Sequence, residues 1–207
     1  DLSISLVESL GLKAYFPFEP YTDTQIYNLI LSNSVDSFLN IKSVMKEFII
    51  KNKIEAIFGD ALEGFNPSHD LCRYLINSIV MDLKNEVIIK NYDFIQDDVI
   101  KNMVSKKKDD DITITLNEKE LQKKITACAN YPELKIEVDR FSAKYGESFF
   151  STEFFRKIDD PKKIISWNTK YPYYEQFGRK RVAEGTYKQV ISFEEHMETL
   201  AKALQDK

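Results

Sequence analysis

"IEAIFGDALEGFNPSHDLC", residues 54–72, decides how this chain folds. It opens on a short apolar run, Ile54 to Phe58, bounded by Lys53 and Gly59, the pattern of a buried strand. It closes on a helix start. Asn66 is a residue type that caps helices by accepting an orphan backbone N–H, and Pro67 then falls at the first helical position, where its missing N–H costs nothing. From there Leu71, Cys72, Leu75, Ile76, Ile79, Val80 and Leu83 recur at helical spacing. Upstream, Ser34 to Asn52 places Val35, Phe38, Leu39, Met45, Phe48 and Ile49 on one helical face. Helix, buried strand, irregular loop, helix is the grammar of a parallel α/β sheet, whose ligands bind beyond the carboxyl ends of the strands. The loop Gly59–Ser68 occupies that place, and His69 stands in the first turn after it.

The rest of the chain fills out the same fold class. Residues 86–95 ("EVIIKNYDFI") and 111–116 ("DITITL") are predicted as further strands, with helices near 117–129 and 133–145. The tail ends in a helix whose apolar stripe is Val190, Phe193, Met197, Leu200 and Leu204. "DLSISLVESLG" reads as the rear half of a helix stopped by Gly11, and residues 13–18 ("KAYFPF") as a strand. The expectation is therefore that a strand–loop–helix unit precedes Asp1. The predicted architecture is α/β: a Rossmann-like, mostly parallel sheet flanked by helices, in a single domain over residues 1–207 that lacks its N-terminal part and carries a helical C-terminal tail.

Composition sets limits on function. At 43% hydrophobic and 30% charged residues, the 207-residue chain suits one folded, soluble domain. The net charge is −4 and the run "KKKDDD" at 106–111 cancels itself as a solvated loop, so nothing argues for a nucleic-acid partner. Cys72 and Cys128 have no metal-type spacing and are expected to be buried free thiols in a reducing cytoplasm. No stretch reaches the ~18–20 apolar residues of a membrane span. A cytoplasmic location is expected.

The quoted stretch resembles the second zinc-binding motif of the PIG-L/LmbE-type N-deacetylases, in which a strand is followed by a loop of the form E-G-x-H-P-D-H and the last His binds zinc. Residues 172–204 ("PYYEQFGRKRVAEGTYKQVISFEEHMETLAKAL") resemble the ending of a bacterial clade of that family, and residues 131–159 resemble the segment that precedes that ending. The resemblance implies a zinc-dependent hydrolase that removes an acetyl group from an N-acetylated amino sugar or glycoconjugate. It implies His69 as a zinc ligand and Asn66 at the place of a His that polarises the substrate carbonyl. It implies Asp23, in "EPYTDTQ", as a contact to sugar hydroxyls, and Glu63 with Gly64 as the family's loop. Its first motif, H-P-D-D-E, has no counterpart in this chain; that motif brings two zinc ligands and the general base, and the resemblance puts it ahead of Asp1. The chain alone is then expected to be inactive.

The chemistry explains why those residue types matter. A hydrolytic zinc centre needs three protein ligands and an open position, which brings the bound water toward a pKa of about 7. A carboxylate takes the proton, and a fixed donor or the metal steadies the oxyanion. Plainer alternatives stand beside each assignment. A lone His at a helix start is ordinarily a cap or a hydrogen-bonded residue, Asp70 a first-turn acid stabilised by the helix dipole, and Glu63 a solvated loop acid. His196 borders the last apolar stripe, where half-buried packing is the default; the matching tail of the clade makes it a candidate for the active-site rim and for catalysis. The aromatic run at 171–178, with Tyr173 and Tyr174 as candidate substrate contacts, supplies either a sugar-stacking wall or a docking patch for the last helix, and Trp167 can join either. The alternative function is a non-catalytic carbohydrate- or partner-binding relative that has lost the metal site; a third is an unrelated α/β protein with a structural His69.

Overall fold

The computed structural model describes residues 2–95, 108–164 and 171–206. In chain order the regular elements are α1 (Leu2–Ser9), α2 (Asp23–Leu31), α3 (Val35–Asn52), β1 (Ala56–Asp60), α4 (Pro67–Leu83), β2 (Lys90–Ile95) and β3 (Ile112–Thr115). After these come α5 (Glu118–Ala129), α6 (Pro132–Tyr145), β4 (Thr152–Lys157), α7 (Tyr173–Ala183) and α8 (Glu198–Asp206). The chain divides into two compact units, one built from residues 17–94 with 157–207, the other from 1–16 with 95–156.

The first unit contains the stretch that decides the fold. β1 and β2 pair in parallel, from Ala56 opposite Lys90 to Asp60 opposite Phe94. A parallel pair needs a long crossover, and α4 lies between the two strands in sequence. The helix begins where its chemistry dictates: Asn66, in extended conformation, accepts from Ser68 N, and Pro67 is the first helical residue. α3 ends at Lys53, which takes the left-handed conformation with φ of 53° and closes the helix through its own N–H.

Packing ties these helices to the tail. Ile30 of α2, Phe38 and Ile41 of α3, Leu71 and Tyr74 of α4, and Tyr174 of α7 form one buried cluster with Met197, Leu200, Ala201 and Leu204. A second cluster of Ile49, Ile79 and Leu83 packs α3 and α4 against Ile57 of β1. Lys42 is buried with its ammonium satisfied: Nζ donates to the Leu204 carbonyl at 2.7 Å and lies 3.1 Å from Asp82. Ser78 Oγ donates to the same carbonyl at 2.7 Å, so two side chains seat the end of α8.

In the second unit β3 and β4 pair antiparallel, from Ile112 opposite Phe155 to Thr115 opposite Thr152. Asn117 and Glu120 cap α5 reciprocally, Lys124 bridges to Glu153 at 2.7 Å, and Phe150 and Phe154 are buried.

The chain is α/β, as expected, but its described strands include the antiparallel pair of β3 and β4, so they are mixed, which corrects the expectation of a mostly parallel sheet. The sequence difference is visible afterwards. "IEAIF" is largely apolar, although Phe58 is exposed, whereas "ITIT" alternates, the pattern of a strand with one face toward solvent. Its burial does not follow the alternation, since Ile112 and Thr113 are half-buried and Ile114 and Thr115 exposed. Residues 13–18 form no strand: Pro17 has no N–H to give to a ladder, and Tyr15 and Phe16 are exposed. Cys72 is exposed and Cys128 half-buried, so neither is the buried thiol expected; Cys72 shares the face of His69 rather than the core face of α4. Of the charge run expected as a solvated loop, residues 108–110 are exposed, Asp111 is buried, and 106–107 lie outside the described residues. Among the described residues no helix is long and apolar enough to cross a membrane.

Candidate functional site

The carboxyl end of β1 and the mouth of α4 are built around two buried charges. Arg73, one turn into α4, is almost fully buried and donates to three acceptors. Nε reaches the Asp60 carbonyl at 2.6 Å, Nη1 the Asn91 side chain at 2.8 Å and Nη2 the Tyr92 carbonyl at 2.9 Å. One guanidinium therefore ties the carboxyl end of β1 and the first half of β2 to the helix. Gly59 is required for that approach, since a Cβ there would lie 2.7 Å from Ile76 Cδ1 and 2.8 Å from Arg73 Nη2.

Asp70 organises the loop. It is 2% exposed, and its carboxylate accepts the backbone N–H of Glu63 at 3.0 Å and of Gly64 at 3.0 and 3.3 Å. Burial pushes its carboxyl up to about 7, against the pull of the two N–H donors, which favour the charge. The loop residue Gly64 needs its φ of 66°, and its carbonyl accepts from Tyr174 N at 3.1 Å. Asp70 is thus a first-turn acid, as the plainer reading has it, and its buried carboxylate ties the loop.

On this platform His69 points outward. Its side chain is 56% exposed, and Nδ1 lies 3.5 Å from Asp60 Oδ2, itself half-exposed at the strand end. Asn66 sits alongside, its Oδ1 taken by Ser68 N, Ser68 Oγ and the Tyr27 hydroxyl. Asp23 opens α2 beneath the Thr22–Gln25 capping box, one turn before Tyr27. Burial, and then the charge of Asp23, raise the Tyr27 hydroxyl above the ordinary phenol value, so it is a protonated donor. Glu63 is exposed on the loop, its N–H committed to Asp70.

The aromatic run divides. Tyr173 is 51% exposed and stacks on Phe65 of the loop, with centroids 4.9 Å apart and planes 3° from parallel, and Phe177 continues the row at 6.0 Å. Tyr174 instead packs in the core, so the structure places it away from any open face. Trp167 lies outside the described residues.

His196 occupies different surroundings. It lies in a π-helical turn, Phe193–Met197, that leads into α8, and its Nδ1 accepts Ser192 N at 3.1 Å. It lines a cavity of about 870 Å³ with Tyr171, Glu175, Arg179 and Glu195; His69, Asn66 and Glu63 do not line it. Glu175, 2% exposed, is paired there with Arg179 at 2.6 Å and accepts the Phe193 N–H at 2.8 Å.

The site missed from sequence is the supporting set: Asp60, Arg73 and Tyr27. Asp60 ends the quoted strand, and its position at a strand's carboxyl end was the available signal; Tyr27 comes from a helix that the sequence reading left unassigned. Among the described residues no group of three or more His, Cys, Asp or Glu side chains is placed to hold a metal ion. His69 with Asp60 fits one edge of a zinc centre, not a whole one. Compared with known proteins, the chain matches no family model, no curated protein and no solved structure.

Proposed function

We propose that this chain carries the substrate-facing part of a zinc-dependent N-deacetylase of the PIG-L/LmbE type, acting on an N-acetylated amino sugar or glycoconjugate at the end of a Rossmann-like strand–loop–helix unit. The observation that carries the reading is His69: an exposed imidazole at the carboxyl end of a parallel strand, beside a carboxylate and a fixed carboxamide, on a loop tied by a buried Asp. A structural histidine has no need of such a platform. When bound, zinc would activate water and polarise the amide carbonyl. His69 would be its ligand from this chain, with Asp60 holding the ring, and the other ligands would come from outside the described residues. What the chain itself does is position substrate. Asn66 offers its amide to the carbonyl, and Phe65, Tyr173 and Phe177 offer a stacked aromatic edge beside it, with Asp23 and Glu63 on the polar rim.

A second reading is a non-catalytic carbohydrate- or partner-binding relative, which would use the same exposed aromatic row of Phe65, Tyr173 and Phe177 without a metal. One experiment separates them. Zinc content is measured after dialysis of the chain with one equivalent of metal, alongside acetate release from N-acetylglucosamine. The deacetylase reading expects weak zinc binding by this chain, abolished by His69→Ala, and acetate release once the complete ligand set is present. Binding of the sugar with no zinc response to His69→Ala supports the binder. Tight stoichiometric zinc in this chain overturns the assignment of ligands.

A further inference from the structure

We infer that Tyr27 and Ser68 are positioning residues that lock the Asn66 carboxamide as a fixed, non-titrating donor for the carbonyl of an N-acyl substrate. The inference rests on the deacetylase reading for its substrate class and on the geometry for the lock.

The geometry begins with an identity. Ser68 N lies 3.0 Å from the Asn66 carboxamide, and a backbone N–H can only donate, so the atom facing it is Oδ1 and not Nδ2. Two hydroxyls donate to the same oxygen: Ser68 Oγ at 2.8 Å and Tyr27 at 3.4 Å. Turning the amide over would set its NH₂ against the Ser68 N–H, so that backbone donor fixes which way the amide faces, while the two hydroxyls, which can donate or accept, hold it in place. A helix cap needs one of these interactions. The Tyr27 bond is surplus to it, and it arrives from α2, 39 residues away in sequence. With Oδ1 held on the cap side, Nδ2 is turned away from the helix end, and it makes no hydrogen bond among the described residues.

A carboxamide held in this way suits one kind of chemistry. It can donate to a carbonyl or a developing oxyanion without reorganising, and it carries no charge at any ordinary pH. Tyr27 remains protonated because burial, and then Asp23, raise its hydroxyl. The donor is therefore constant where an imidazole at the same place would titrate.

The test uses the full chain and two readouts. Relaxation of the Asn66 side-chain ¹⁵N–H₂ resonance in wild type should report rigidity like that of the helix backbone, and Tyr27→Phe should loosen it. Titration with N-acetylglucosamine and with glucosamine then measures the preference for the acetyl group. Tyr27→Phe should reduce that preference about fivefold, the loss of one hydrogen bond's worth of fixation, with melting unchanged. Ser68→Ala should do the same with lowered melting, and Ser68→Thr should restore both. A preference that survives Tyr27→Phe with an equally rigid amide overturns the positioning role. No preference for the N-acetyl sugar in the wild-type chain overturns the substrate class and the carbonyl role with it.

Discussion

The two histidines of this chain sit near helix starts and use their rings in opposite ways. His196 turns Nδ1 back on its own chain, where it accepts the Ser192 N–H and replaces a cap. His69 needs no such duty, because Asn66 already caps its helix, and its ring stands more than half exposed beside Asp60. A histidine relieved of structural work by a neighbour is available for chemistry. One that completes a turn is restricted to the nitrogen that remains. The comparison depends on the platform under His69 being specific to that site, and each of the following variants tests a part of it.

The largest effect is expected at Asp70. Asp70→Ala leaves the N–H groups of Glu63 and Gly64 without their acceptor, which should cost about 2–5 kcal/mol in chemical denaturation. The same residue gives a pH signature. Its carboxyl moves from 3.8 to about 7 on folding, so between those values the folded state holds more protons than the unfolded one. This contribution is full below about pH 4, falls as pH rises, and is gone above about pH 7, on the order of 3–4 kcal/mol across the window. Asp70→Asn should flatten that slope. A flat wild-type profile would mean that the loop N–H groups hold the carboxylate charged and that the loop is tied more by charge than by burial.

Gly59→Ala comes next. The added methyl meets Ile76 and Arg73, and Arg73 ties the end of β1 to the first half of β2, so about 1–3 kcal/mol of destabilisation is expected in thermal melts. If the variant melts normally, the strand end can shift, and the placement of Asp60 beside His69 is less fixed than the geometry indicates.

Much of this was legible in the sequence, and the reason is local chemistry. The Asn66–Pro67 start of α4, the span of α3, and the helices at 118–129 and 132–145 follow from caps and apolar spacing, which act within a few residues. His69 was found by its place after a strand. What escaped was set by distant partners. β4 buries Phe154 between the half-buried Glu153 and Phe155, a sequence with no alternation to read, and its pairing with β3 is a property of both strands. Tyr27 matters because it reaches Asn66, and Asp70 because it reaches back to Glu63 and Gly64; neither contact leaves a spacing to read. Tyr173 and Tyr174 are neighbours in the chain, yet one is exposed and the other buried, since a helix turns adjacent residues about 100° apart.

His196→Ala tests the other half of the comparison. It removes the acceptor for Ser192 N–H and for the Ser192 hydroxyl at 3.2 Å, so a loss of about 0.5–2 kcal/mol is expected, the range for a helix cap. His196→Asn, which can still present an oxygen, should recover part of it. A variant as stable as wild type would show that the ring is not acting as a cap and would return His196 to candidacy for catalysis.

The smallest effect on stability is expected at His69. Its side chain is exposed and its one close partner, Asp60, is about half-exposed too, so the 3.5 Å contact is screened by solvent and contributes little. His69→Ala should therefore change unfolding free energy by no more than about 0.5 kcal/mol, as for an exposed surface position. What should change is the response to ligands: added zinc should shift the melting of wild type slightly and that of His69→Ala not at all. The pairing of results is what carries weight. A variant that melts like wild type and loses the zinc response places the ring in a site. A variant that melts as low as His196→Ala places it in the fold, and the contrast between the two histidines disappears with it.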